Sequence, residues 1–417
     1  IDKREKKKAS MAMFYKVLYN RPMQLQDTAQ FYLIYPVGLS DLGKKELESK
    51  FSFHFPESVL EIVSIDDAGI LIKVKISEGF ALNHLLRAPT RILLRIAEFK
   101  ARDFPKLFQK ISKLDWKPIL IGQTPEIEVS ATNSRLFDSR KVEKAIADGI
   151  LENYRKQPVK KRYLDHHELN KESILPKIYY RTVDDLVTIS MDTTGELLHK
   201  RGEKIFTGLA PIRESLASLL LLELTDSFDG EDFALIDPMS GSGTFLIEAH
   251  DYYKINNDRS FSYQHTPLWL DFQTDGKAKR EFYEKFKIKK STTFNHFLGF
   301  EINKDIIELA KKNADGKDII IKEADIFDRK AMSPGMQNLV IINPPYGLRV
   351  GSELNISAEY YQKIIGAVKS KYNPERLGII IPEEYRYDPR KNDCITLSTR
   401  HFKNGGLSVV FYVLGFK

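Results

Sequence analysis

A chain of 417 residues exceeds what one hydrophobic core normally supports, so two or more domains are expected, and a 42% hydrophobic share with 11% aromatic residues excludes a largely disordered polypeptide. The net charge of +7 suits a polyanionic partner. The single cysteine, Cys394, excludes an intramolecular disulfide and any multi-cysteine zinc site, which fits a reducing, cytoplasmic setting.

Lys3, Arg4, Lys6, Lys7 and Lys8 open the chain without the apolar stretch of a signal peptide, and residues 1–30 are treated as an N-terminal extension. Phe31 to Val37 reads as a strand ending at Gly38, and Asp41–Lys50 as a turn and helix. Val59–Ile65 and Gly69–Ile76 read as strands around the turn Asp66–Gly69, so residues 31–83 are expected to form a small α+β unit. From His84 to Tyr154 helical patterns dominate, with Val142, Ala145, Ile146 and Ile150 on one helix face after a short strand at Ile127–Ala131. Arg155, Lys156, Lys160, Lys161 and Arg162 surround Pro158 in what reads as a basic loop, open equally to a solvated-surface and a phosphate-binding reading. A hairpin across Asp184–Asp185 joins Ile178–Arg181 to Leu186–Met191, and this part ends at Asp192–Thr193–Thr194–Gly195.

The rhythm changes at Pro211, placed as the first residue of a helix with Ile212, Leu216, Leu219, Leu220 and Leu224 behind it. The apolar run Leu219 to Leu222 and its neighbours is far too short to span a bilayer, so no membrane association is expected. Phe233–Asp237, Phe297–Glu301, Ile319–Lys322, Leu339–Ile342 and Gly378–Ile381 read as buried parallel strands alternating with helices such as Ile302–Asn313 and Tyr360–Tyr372. Ile395–Phe402 and Leu407–Phe416 flank the hairpin turn Asn404–Gly405–Gly406. An antiparallel pair closing a mostly parallel sheet is a feature of the methyltransferase variant of the Rossmann-like α/β architecture, with seven strands.

In ALIDPMSGSGTFLIEA, Asp237 ends a strand, Ser240, Gly241 and Gly243 form the turn and Thr244 opens a helix, at a place where open α/β sheets bind ligands. The loop alone fits a dinucleotide, S-adenosyl-L-methionine or no ligand. It lacks the third glycine of a dinucleotide fingerprint and the lysine of a P-loop, neither of which S-adenosylmethionine requires. Glu301 after the second strand is placed to accept from both ribose hydroxyls, Asp325 after the third to face the adenine amine, and Ile302 and Ile326 to sandwich the ring. An isolated acid of this kind is more often a loop acid or helix cap; three at consecutive strand ends reverse that preference.

Asn343–Pro344–Pro345–Tyr346–Gly347 follows the fourth strand. Two prolines fix the backbone and remove two donors, leaving the Pro344 carbonyl and the Asn343 side chain as acceptors for an exocyclic amine while Tyr346 stacks on the base. Such an amine is a weak nucleophile, so orientation and acceptors that follow developing positive charge matter more than a strong base. Plain turn chemistry is the competing reading of the same residues.

These motifs, with Asp192–Gly195, Leu198–His199–Lys200–Arg201–Gly202 and Ala210–Pro211–Ile212–Arg213–Glu214, resemble the THUMP-domain class I methyltransferases that modify guanine-N2 in bacterial 23S ribosomal RNA. Ser134–Arg135–Leu136–Phe137–Asp138–Ser139 resembles part of the THUMP module. The resemblance implies a ferredoxin-like subdomain over 31–83, a THUMP domain over 84–195 and a methyltransferase domain over 196–417. It also implies S-adenosylmethionine as cofactor, and 23S ribosomal RNA or a large-subunit assembly intermediate as partner. The expected RNA contacts are Arg135, Lys160, Lys161, Arg162, His199 and Arg201. Departures from the family pattern are Ser240 in place of a frequent cysteine, Thr194 in place of serine and Glu203 in place of an aromatic residue. Two other readings share parts of the pattern: an adenine-N6 methyltransferase acting on DNA or RNA, and a non-catalytic RNA-binding ribosome-assembly factor. The THUMP-like half speaks against DNA, and the intact cofactor loop against the second.

Overall fold

In a computed structural model of the chain, the described residues are 23–169, 175–201, 212–228, 233–286, 294–327, 337–347, 356–385 and 387–416. The basic run Lys3–Lys8, Glu203 and Pro211 lie outside them, and the helix expected to open at Pro211 begins instead at Glu214, with Arg213 in extended conformation as its N-cap.

The first sheet contains β1 (Thr28–Ile34), β2 (Glu61–Asp66), β3 (Gly69–Lys75), β4 (Arg91–Lys100), β5 (Ile127–Thr132), β6 (Ile178–Val183) and β7 (Leu186–Asp192), in the order β2-β3-β1-β4-β7-β6-β5. β4 corrects the helical reading of this region. It pairs with β1 on one side and β7 on the other and is buried on both faces, so RILLRIAEFK lacks the alternation that marks a half-exposed strand. Ile76 does not end β3 but begins the helix Ile76–Leu85, every residue of which is buried. The loop around Pro158 is shorter than expected, only residues 157–160: Arg155 and Lys156 lie in the last turn of helix Ser139–Lys156, where cations suit the helix dipole, and Lys161 and Arg162 open helix Lys161–Leu169.

The second sheet contains β8 (Phe233–Asp237), β9 (Phe294–Glu301), β10 (Ile319–Glu323), β11 (Asn338–Ile342), β12 (Arg376–Pro382), β13 (Cys394–Asn404) and β14 (Leu407–Phe416), in the order β10-β9-β8-β11-β12-β14-β13. The first five are parallel, and β14 pairs antiparallel with both β12 and β13, so it alone is reversed, the arrangement expected of the Rossmann-like methyltransferase fold. β8 and β11 are buried along their whole length, as their unbroken apolar sequences require. Strand order reverses between them, which opens a crevice at their C-terminal ends.

A buried polar network joins the two sheets. Lys50 pairs with Glu46 at 2.8 Å and donates to the carbonyls of Leu85 and Tyr252, and the Glu46 carboxylate accepts the backbone N–H groups of Arg87 and Ala88. Glu248, on helix Thr244–His250, receives Arg87 at 3.0 Å, Arg201 at 2.9 Å and the Ser218 hydroxyl at 2.6 Å. Arg201 is therefore not a surface RNA contact. Its guanidinium is enclosed and is spent on Glu248 and the Arg87 carbonyl. Among the described residues no helix is long and apolar enough to cross a membrane.

Candidate active site

β8 delivers Asp237 to the crevice with 2% of its surface exposed. Burial pushes its carboxyl up to about 8, against a 3.1 Å hydrogen bond from the Met239 N–H, and the Glu301 carboxylate adds to the rise. The loop that follows turns through Gly241 (φ +52°) and Gly243 (φ +83°) into helix Thr244–His250, and Thr244 is buried at its start. The two glycines do different things. A Cβ on Gly241 would meet nothing within 4 Å, so this position faces open space. A Cβ on Gly243 would point into ordinary contact with Ile247, Ile321 and Ala310, so the left-handed backbone, not ligand room, demands glycine there.

Glu301, at the end of β9, ties the loop together. Its Oε2 accepts from the Gly241 N–H at 3.1 Å and its Oε1 from the N–H groups of Ile302 and Asn303 at 2.9 and 3.0 Å. A carboxylate offers about four lone-pair sites. Roughly one is left for a ligand, so acceptance from both ribose hydroxyls at once requires displacing a backbone donor. Ser240 donates its backbone N–H to the Phe300 carbonyl at 2.8 Å, while its buried Oγ has no hydrogen-bond partner among the described residues. Asp325 is half-buried and accepts from the Phe327 N–H at 2.8 Å.

The expected sandwich of Ile302 and Ile326 is corrected. Ile302 is 63% exposed at the crevice rim, but Ile326 is 3% exposed and packs in a core cluster with Ala234, Ile236 and Val340. The exposed apolar neighbour of Asp325 is Phe327, at 42%, whose ring lies 6.2 Å from that of Tyr360.

β11 places Asn343 beside the same crevice. Its Oδ1 accepts from the Tyr346 hydroxyl at 2.5 Å, and that hydroxyl accepts from Asn404 Nδ2 at 3.0 Å. Tyr346 packs against the core, and burial pushes its phenol up to about 12. Its ring is thus anchored rather than free to swing onto a base. Pro344 is buried and Pro345 exposed, and the Pro345 carbonyl accepts from the Tyr361 hydroxyl at 3.2 Å.

Sequence reasoning missed four residues of this region. Gly299 has no room for a side chain, since a Cβ would meet Leu246 at 2.8 Å and Ser240 Oγ at 3.1 Å. Asn313 donates to the Ser242 carbonyl at 3.2 Å, Tyr361 to Pro345, and Asn404 to Tyr346. The glycine inside an otherwise apolar strand was the one available signal; the other three lie far from the motifs they touch.

The expected RNA contacts scatter over the surface and interior. Arg135 is exposed, beside Phe137 at 73% exposure, on a loop clamped to the β6–β7 turn: the Arg135 N–H donates to Asp185 at 2.9 Å and Asn133 Nδ2 to Asp184 at 2.5 Å. Lys160 and Lys161 are exposed. Arg162 is exposed too but already paired with Asp271 and the Tyr163 hydroxyl. His199 is not a cation: burial, with Arg201 and Arg213 nearby, pushes it down to about 4, which leaves it neutral at physiological pH.

The crevice suits a nucleoside-bearing amino acid such as S-adenosylmethionine. It combines open space over Gly241, an unpartnered Ser240 hydroxyl, two acids and an exposed apolar rim at Ile302. Among the described residues no cluster of His, Cys, Asp and Glu is arranged to hold a metal ion.

Comparisons with known proteins agree with this geometry. The family model for the RMKL-like methyltransferase domain matches residues 201–410, and that for the THUMP domain residues 101–166. The "Ribosomal RNA large subunit methyltransferase K/L" of Psychromonas ingrahamii is 28% identical over 300 residues, covering 69% of this chain and 38% of that protein. Its counterpart in Buchnera aphidicola subsp. Schizaphis graminum is 30% identical, covering 69% of this chain and 41% of that protein. The chain spans about two-fifths of the length of these curated relatives. A solved N6-adenine-specific DNA methylase, so predicted, from Listeria monocytogenes shares the fold at 20% identity with a TM-score of 0.70, covering 94% of this chain and 97% of that one.

Proposed function

Because the chain belongs to the family of RMKL-like methyltransferase domains, we propose that it transfers a methyl group from S-adenosylmethionine to guanine-N2 of large-subunit ribosomal RNA. When bound, the cofactor supplies a methyl group on a positively charged sulfur. In this reading Asp237, Ser240, Gly241, Thr244 and Glu301 hold its amino-acid and ribose portions, Asp325 accepts from its adenine amine, and Ile302 covers the ring. Asn343 Oδ1 and the Pro344 carbonyl accept the two hydrogens of the target amine and so point its nitrogen at the methyl group. The same two oxygens face the positive charge that develops on that nitrogen, and the extra proton then leaves to water. Residues 31–83 and 84–195 present the RNA, with Arg135, Lys160 and Lys161 as phosphate contacts and Phe137 as an exposed ring beside them.

The observation that carries this reading is the position of Asn343–Tyr346 at the C-terminal end of β11, directly beside the loop that β8 feeds, in a chain whose upstream part matches the THUMP domain. The test is transfer of labelled methyl to ribosomal RNA and to DNA oligonucleotides, with the modified nucleoside identified by mass. N2-methylguanosine is expected. N6-methyladenine in either polymer would replace guanine with adenine as the target, and the absence of both transfer and cofactor binding would favour a non-catalytic RNA-binding factor.

A further inference from the structure

Asn404 closes β13 and opens the turn Asn404–Gly405–Gly406, in which both glycines have positive φ, so turn chemistry alone explains an asparagine there. Its side chain nevertheless bonds outside the turn. Asn404 Nδ2 donates to the Tyr346 hydroxyl at 3.0 Å, and that hydroxyl donates to Asn343 Oδ1 at 2.5 Å. The rest of the turn is open, since a Cβ on Gly405 or Gly406 would meet nothing within 4 Å. An amide on an exposed hairpin thus reaches, through one phenol, the side chain at the centre of the proposed chemistry.

The direction of this chain has a consequence for Asn343. A phenol has one proton to give. When Asn404 presents its N–H group, the Tyr346 oxygen accepts it, and the phenol proton goes to the other neighbour, Asn343 Oδ1. An Asn343 side chain rotated by half a turn would lose that bond and carry its N–H donors to where the target amine needs acceptors. The oxygen held by Tyr346 keeps a second lone pair for that amine. Burial of Tyr346 keeps its phenol protonated through the physiological range, so the relay does not break by ionisation.

We propose that Asn404 is a positioning residue for methyl transfer: acting through the Tyr346 hydroxyl, it holds Asn343 in the amide orientation whose oxygen faces the target amine. This rests on the role given to Asn343 above. Asn404 touches neither cofactor nor base in this arrangement, and its effect passes entirely through one hydroxyl.

That restriction makes a double-mutant cycle decisive. Single-turnover methylation by the full chain is compared for the parent, Asn404→Asp, Asn404→Ala, Tyr346→Phe and the Asn404→Ala/Tyr346→Phe double variant. Cofactor affinity, RNA affinity and thermal unfolding are measured alongside. Asn404→Asp can only accept, so it draws the phenol proton away from Asn343 and should lower the rate by about tenfold or more, with both affinities kept within about twofold. Asn404→Ala should lower it less, and the double variant should be no slower than Tyr346→Phe alone. Multiplying effects in the double variant would overturn the relay, as would a parental rate in Asn404→Asp or a rate loss that merely tracks lost affinity. Should Asn404→Asp fail to fold, the cycle built on Asn404→Ala decides. The ratios are read on whichever amine acceptor the parent methylates, so a DNA acceptor would sink the RNA reading and leave the relay testable, while a parent that methylates no amine overturns both.

Discussion

Asp237 carries a pH prediction at the scale of one carboxyl. Its folded value is pushed up to about 8 by burial, whereas an unfolded aspartate titrates near 3.9. Between those values the folded ligand-free chain holds a proton that the unfolded chain has lost, so this group's contribution makes stability fall as pH rises through that window and level off above it. Asp237→Asn removes the titration. The melting temperature of the variant should therefore gain on the parent steadily from about pH 5 to about pH 8, measured by thermal unfolding in cofactor-free buffer. Parallel curves would mean that the carboxyl is ionised throughout. Glu301 makes a second case, because its carboxylate holds three backbone N–H groups before any ligand arrives. Glu301→Gln keeps the shape but presents an N–H group where an acceptor is needed. It should weaken cofactor binding by about 2 kcal/mol through a disordered loop as well as a lost ribose contact, as read by calorimetry. Asn343→Ala should lower single-turnover methylation by about a hundredfold or more with cofactor affinity preserved, since it removes an acceptor that matters to the reacting nitrogen.

Elements differ in how plainly the sequence announces them. β8 and β11 are buried on both faces and flanked by turn residues, so their runs of apolar residues were readable, and with them the positions of Asp237 and Asn343. β4 is buried on both faces as well, but its ten residues are long enough to pass for a helix, and the reading failed there. Asp192–Gly195 is recognisable as a motif, yet its work is structural. Asp192 accepts from the N–H groups of Thr194 and Gly195, and Asn83 exchanges hydrogen bonds with the Thr193 and Thr194 side chains. Motif strength therefore marked importance without telling catalysis from packing. Charge was less informative still, because Arg135, Arg162 and Arg201 look alike in sequence, while Arg201 is interior and Arg162 is paired with Asp271. The surface reading that survives is Lys160 and Lys161 at the mouth of helix Lys161–Leu169, with Arg135 on the clamped loop. Replacing both lysines by glutamine should weaken RNA binding and reduce the slope of log affinity against log salt by about 1–2, leaving cofactor affinity unchanged. Equal slopes in fluorescence titrations at several salt concentrations would exclude these side chains as phosphate contacts.

At the scale of the whole molecule, the buried Glu248 carboxylate is one of the links between the two sheets, beside the Lys50–Glu46 pair that reaches the Tyr252 carbonyl. Glu248 sits on the helix that begins at the cofactor loop, Arg87 comes from the segment between helix Ile76–Leu85 and β4, and Arg201 follows the β7 segment. Burial alone would push the Glu248 carboxyl up, but Arg201 and Arg87 outweigh it and hold the group below the usual range. The pair is no free gain in stability, because three charges have left water to form it, but breaking it is costly because two guanidinium groups would remain buried without their counter-charge. Glu248→Gln should therefore lower unfolding free energy by about 3–5 kcal/mol. It should also change the form of the transition. With the carboxylate in place, helix Thr244–His250 and the first sheet are expected to unfold together, in one calorimetric transition. Without it the two sheets lose a shared anchor, and the transition should broaden or divide, with the half that holds the cofactor crevice melting first and recovering when S-adenosylmethionine is added. Glu248→Leu combined with Arg87→Met and Arg201→Met removes all three charges at once and should restore much of the lost stability, as apolar replacement of buried ion pairs commonly does. Differential scanning calorimetry of the three proteins separates the possibilities: a Glu248→Gln chain that melts in one unshifted transition would show that the sheets are held together elsewhere and that Glu248 is dispensable to their coupling.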